Sequence, residues 1–105
     1  MYMNGFSNAE NNAYIRGYIL RSLVRGMHFS MTVKGLSNKM IKQGIIVTPD
    51  ISDYLYYLHS SQLIEFTDMS VTPFNALEKD AVVRLSVQGI RFIENGGEPE
   101  MGIDL

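Results

Sequence analysis

Residues 48–67 read TPDISDYLYYLHSSQLIEFT, and the spacing of their apolar side chains decides how the rest of the chain is read. Ile51, Leu55 and Leu58 fall within about 60° of one another at 100° per residue, which makes them one buried stripe of a helix. Thr48 and Pro49 are residue types that open helices, as N-cap and first-turn proline, so the helix is expected from there to about Gln62. Ser52, Asp53, Tyr56, Tyr57 and Ser60 then face outward, and Tyr54 is expected to be partly buried. At Leu63 the period changes, and Leu63 to Thr67 reads as a short strand.

Working back toward the start, Ser7 followed by Glu10 reads as a capping box, which places the start of a first helix near Asn8. Ile15, Ile19, Leu20 and Leu23 form its buried stripe, and Gly26 is its expected terminator. An extended piece, Phe29 to Thr32, leads to a second helix from about Val33 to Gln43, with Leu36 and Met40 inward and Gly44 as its stop. Ile45, Ile46 and Val47 link it to the third helix. Beyond the first strand, Met69 to Asp80 is a long polar loop, expected to be mobile. Ala81 to Leu85, rich in β-branched residues, is the antiparallel partner strand. Ser86 caps a short closing helix with Val87, Ile90 and Ile93 on one side. The expected divisions are a flexible N-terminus over 1–7, one domain over 8–96 and a tail over 97–105.

The 105 residues are 46% hydrophobic, enough for one domain to bury its own core. Cysteine is absent, which removes disulfides and thiolate metal ligands. No apolar run approaches the roughly 18 residues of a membrane span, and the polar start is unlike a signal peptide, so a soluble cytoplasmic protein is expected. The net charge of −2 is unevenly laid out. Residues 1–48 carry +5, residues 49–80 carry −5 and the remainder −2.

Tyr54-Leu55-Tyr56-Tyr57-Leu58 running into Leu63-Ile64 resembles the end of a recognition helix entering a wing strand. Val83-Arg84-Leu85-Ser86-Val87-Gln88-Gly89-Ile90 is similar to the strand, Leu-Ser, two residues, Gly junction that leaves the second wing strand in winged helix-turn-helix domains. The resemblance covers roughly residues 8–96. It implies an α+β fold with a three-helix core, a two-stranded wing and a short C-terminal helix. The stretch Arg16 to Leu23, the YLYYL segment and the Gly-rich end with Pro99 and Gly102 look like a family of small winged-helix proteins of Mu-like phages and prophages. Those are often labelled ArsR-like regulators from fold alone. The resemblance implies transcription regulation by a DNA-binding dimer.

Duplex DNA binding through such a fold normally puts the third helix in the major groove and cations on phosphate. The candidate contacts are Lys34, Lys39 and Lys42 on or beside helix two, Ser52, Asp53, Tyr56 and Tyr57 on helix three, and Lys79 in the loop. Arg21 and Arg25 on helix one add to the basic cluster. Against this, helix three holds no Lys or Arg and carries Asp53 in its exposed arc. The competing expectation is a protein-interaction module whose acidic, tyrosine-bearing face takes a basic protein or a second copy. Met27, Met31 and Met40 read as core filler. His28 and His59 do not assemble with other residues into a metal site or a nucleophile and base pair, so neither enzymatic activity nor a cofactor is expected.

Overall fold

The computed structural model describes residues 5–105, with side chains from residue 11 onward. Helix α1 spans Gly5–Arg25, strand β1 Ser30–Thr32, helix α2 Val33–Lys42, helix α3 Ser52–Ser60, strand β2 Ile64–Phe66, strand β3 Val82–Leu85 and helix α4 Val87–Glu94. The architecture is α+β, with these four helices around a three-stranded antiparallel sheet ordered β1-β3-β2. Two strands were expected. The third arises because the extended piece before α2 pairs with β3, setting Met31 opposite Val83. On its other side β3 pairs with β2, and Arg84 meets Glu65 across the strands at 2.7 Å.

Periodicity places the core as read. Ile15, Ile19, Leu23, Leu36, Leu55 and Leu58 are all buried. Thr32 caps α2 by accepting from the Gly35 N–H, and Ser86 caps α4 by accepting from the Gly89 N–H. Gly44 ends α2 as expected, in the left-handed conformation at φ 74°. In α4, however, Gly89 and Phe92 turn inward, while Val87 is 67% exposed and Ile90 and Ile93 are only half-buried. Met40 is fully buried, but Met27 is 79% exposed and so is not core filler.

Three local readings give way to tertiary contacts. Helix α1 already runs at Gly5, ahead of Asn8, which puts Ser7 inside the helix. The side chains of Ser7 and Glu10, and residues 1–4 of the expected flexible start, lie outside the described residues. Helix α1 ends at Arg25, directly before Gly26 as expected, but Gly26 is not left-handed; its φ is −75°. A Cβ there would lie 2.1 Å from the Ser30 carbonyl oxygen, so the glycine serves a close backbone approach. Helix α3 starts at Ser52, not Thr48, and stops at Ser60 short of Gln62. The Ser37 hydroxyl donates to the Pro49 carbonyl at 2.6 Å, holding that link against α2, and Asp50 accepts from the Ser52 N–H at 3.0 Å.

Loop 69–80 is anchored by three buried apolar residues and by local hydrogen bonds. Asp68 accepts from the Ser70 N–H and hydroxyl, Asn75 accepts from the Thr72 N–H, and Val71, Pro73 and Ala76 are buried. These three apolar side chains tie down a segment whose polar composition suggested mobility. The Ser52 hydroxyl and N–H hold the Asp50 carboxyl below its ordinary pKa, and the Ser70 N–H and hydroxyl do the same for Asp68. A carboxyl lowered in the folded state contributes stability above its ordinary range, and that contribution is lost as pH falls through the lowered value. Urea midpoints should therefore fall with acidification in this window. Asp50→Asn combined with Asp68→Asn should flatten the dependence, and an unchanged acid slope would contradict the assignment.

Candidate functional site

On α1, Tyr18, Arg21, Ser22 and Arg25 recur at helical spacing and share one face. Lys39 in the last turn of α2 and Gln43, which caps its end, are one turn apart. Packing brings the two faces together around a cleft of about 230 Å³ lined by these six residues. The Lys39 ammonium donates to the Ser22 hydroxyl at 3.2 Å and lies 5.5 Å from the centre of the Tyr18 ring, which fixes its position beside α1. Arg21 donates one Nη1 hydrogen bond to the Asp104 carbonyl at 3.1 Å, and among the described residues the rest of its fork has no hydrogen-bond partner. Arg25 is exposed at the end of α1. Among the described residues, no carboxylate lies within ion-pair distance of Arg21, Arg25 or Lys39.

Three cations, a phenol and an amide around an open cleft suit an oxyanion with several acceptor oxygens, such as a phosphodiester. Charge-assisted hydrogen bonds from Arg and Lys are the usual means of holding such a group. A second cleft of similar volume is lined by Asn12, Arg16, Asp50, Asp53 and Tyr54. Its two carboxylates oppose its guanidinium, so it presents no net positive charge to an anion.

The lysines singled out from the sequence do not form one cluster. Lys39 is in the cleft and Lys42 is exposed in the same last turn of α2, but Lys34 sits at the opposite end of the helix. At 100° per residue Lys34 is also about 140° around from Lys39. The Lys34 N–H donates to the Asp80 carboxylate at 3.2 Å, and Lys79 is exposed beside it. Cleft residues Tyr18, Ser22 and Gln43 went unnoticed in the sequence. Their helical spacing was readable, but which face of α2 would oppose α1 was not.

Helix α3 presents less surface than its sequence suggested. Asp53, Tyr56 and Ser60 are exposed, while Ser52 is half-buried and its hydroxyl donates to Asp50. Tyr57 turns toward the C-terminal segment, where its hydroxyl donates to the Met101 carbonyl and the Arg16 guanidinium lies 3.6 Å from its ring centre. Arg16 also donates to the Gly102 carbonyl at 3.0 Å, and the Asp104 N–H donates to the Ala13 carbonyl. Residues 97–105 are thus seated on α1 and α3, with Ile103 buried. A Cβ on Gly17 would come within 1.7 Å of the Asp104 oxygen. Phe74 of the loop folds back on Tyr56, ring centres 5.6 Å apart.

His28 is exposed in a tight turn, and His59 lies 5.4 Å from the Phe66 ring. Among the described residues, no group of three His, Asp or Glu side chains is placed to hold a metal, and no helix is long and apolar enough to cross a membrane. Comparison with protein-family models, curated proteins and solved structures finds no match.

Proposed function

We propose that this chain is a duplex-DNA-binding protein of winged helix-turn-helix type that holds the phosphate backbone in the cleft between α1 and α2. The order helix, strand, helix, helix, strand, strand, helix supports the fold reading. The observation that carries the function is the convergence of Arg21, Arg25 and Lys39 on one cleft whose lining holds no carboxylate. Helix α3 offers Asp53 and Tyr56 in place of cations, so phosphate contact supplies most of the affinity and discrimination between sequences is weak. A role in phage-type transcription regulation follows from the resemblance noted in the sequence.

Binding to random-sequence duplex DNA should weaken steeply with salt, by about 0.9 in log K per log salt for each phosphate neutralised. The Arg21→Ala/Arg25→Ala/Lys39→Ala variant should flatten this slope by about two to three units, whereas Lys34→Ala should change it by at most about one. Fluorescence anisotropy at several salt concentrations reads both. Absence of binding at low salt, or a triple variant with the wild-type slope, overturns the proposal.

A second reading is favoured by the exposed Tyr56–Phe74 pair beside Asp53, which fits a basic protein segment bearing an apolar anchor. Under that reading Tyr56→Ala removes partner binding and leaves any DNA affinity unchanged.

A further inference from the structure

The stripe of α1 that supplies the cationic cleft continues past it. One turn before Tyr18 on the same face stands Tyr14, 40% exposed, its ring centre 6.5 Å from that of Tyr18. Tyr14, Tyr18, Arg21 and Arg25 recur at helical spacing, so phenol rings and guanidinium groups share one line along the helix. The two rings are held differently. Tyr18 is half-buried with the Lys39 ammonium 5.5 Å from its ring centre, which makes it part of the cleft wall. Tyr14 is more open. The Arg21 guanidinium carbon lies 5.9 Å from its ring centre, against 3.6 Å where Arg16 is stacked on Tyr57, so Arg21 stands beside the ring without sealing it.

Proteins hold single strands by two means together, a cationic groove along the phosphates and an aromatic ring on which a base stacks. Both are present here, on adjoining parts of one helix face. Duplex DNA engages only the first, because its bases are stacked on one another and show a protein their edges. We infer that the Tyr14 end of the cleft takes a single strand of nucleic acid, with an unpaired base on the Tyr14 ring and the flanking phosphates on Arg21, Arg25 and Lys39. The inference rests on the reading of the cleft as a phosphate site and adds to it an affinity for bases that phosphate contacts alone do not give. Stacking tolerates any base, so the strand is bound with little regard to sequence. DNA and RNA strands share this chemistry, since the ring meets the base and the cations meet the phosphates.

Fluorescence anisotropy with three labelled strands of equal length tests it: oligo-dT, oligo-U and an abasic deoxyribose-phosphate strand that carries the same charge without bases. The wild type should bind oligo-dT or oligo-U more tightly than the abasic strand by about five- to a hundredfold, the range of one stacked base. Tighter binding of either supports the inference and names its sugar. Tyr14→Ala lies outside the buried core and should melt close to the wild-type temperature, yet bind the base-bearing strands no better than the abasic one. Tyr14→Phe keeps the ring and should bind as the wild type does. The Arg21→Ala/Arg25→Ala/Lys39→Ala variant should bind all three strands weakly. A wild type that holds the abasic strand as tightly as the other two overturns the inference, and the duplex reading survives that result if duplex DNA is bound with a steep salt dependence. Preference for bases that persists in Tyr14→Ala overturns it too, as does a triple variant with wild-type affinity for oligo-dT and oligo-U. Tyr14-dependent binding of a single strand without any duplex binding defeats the duplex reading and supports this one.

Discussion

Gly89→Ala is expected to destabilise the protein, although a glycine to alanine change within a helix ordinarily stabilises it by about 1 kcal/mol. The reason is contact with a distant backbone. A Cβ at Gly89 would stand 2.1 Å from the Leu63 carbonyl oxygen and 3.3 Å from a Leu85 methyl. The same carbonyl accepts the Ser86 N–H at 3.0 Å, the bond that seats the start of α4 beside β2. Helix α4 must lift away to make room, which weakens that bond and loosens Phe92 in the core. Overpacking of this kind costs about 1–3 kcal/mol and sometimes more, enough to reverse the sign of the helix preference. Urea denaturation followed by circular dichroism reads the difference. A variant as stable as the wild type would show that the approach of α4 to Leu63 is not as close as described.

Leu55→Ala should cost about 2–5 kcal/mol, against a total of roughly 5–15 kcal/mol for a domain of this size. Leu55 is fully buried, between Ile51 and Leu58 on the inward stripe of α3, and α3 packs on α1 and β2. Truncation leaves a cavity where these elements meet, and helix α3 is too short to persist without that packing. The neighbouring Tyr56→Ala, at a site 53% exposed, should cost far less, limited to the loss of its contact with Phe74. The pair of variants separates inward from outward positions of α3 by their urea midpoints. Equal losses at the two positions would contradict the orientation of the helix.

Much of the fold was legible because its signals are local. Leu36 and Met40, or Ile51, Leu55 and Leu58, declare a helix and its inner face by spacing alone, and Gly44 declares a stop through the left-handed turn it adopts. The strands LIEFT and AVVRL were readable from their alternation and β-branched residues. The candidate site was half legible. Arg21, Arg25 and Lys39 stood out as a basic cluster on two helices, but Lys34 and Lys42 look equivalent to Lys39 in the sequence. Only the packing of α2 against α1 separates them.

Where the reading went astray, a contact between remote segments overrode a sound local signal. Thr48-Pro49 has the residue types of a helix start, yet Pro49 is bound through its carbonyl to Ser37, and the helix opens three residues later. Tyr57 lies on the outward arc of α3, yet residues 97–105 return to cover it. Gly17, Gly26 and Gly89 sit where other backbone passes, at Asp104, Ser30 and Leu63, and nothing in the neighbouring sequence marks that need. The sequence by itself determined the helices, their buried stripes, the main hairpin and the separation of basic from acidic halves, because side-chain period and turn chemistry act over a few residues. Tertiary structure alone decided which cations share a cleft, which tyrosine is covered and where a glycine is indispensable, because those depend on segments that meet only after the chain has folded.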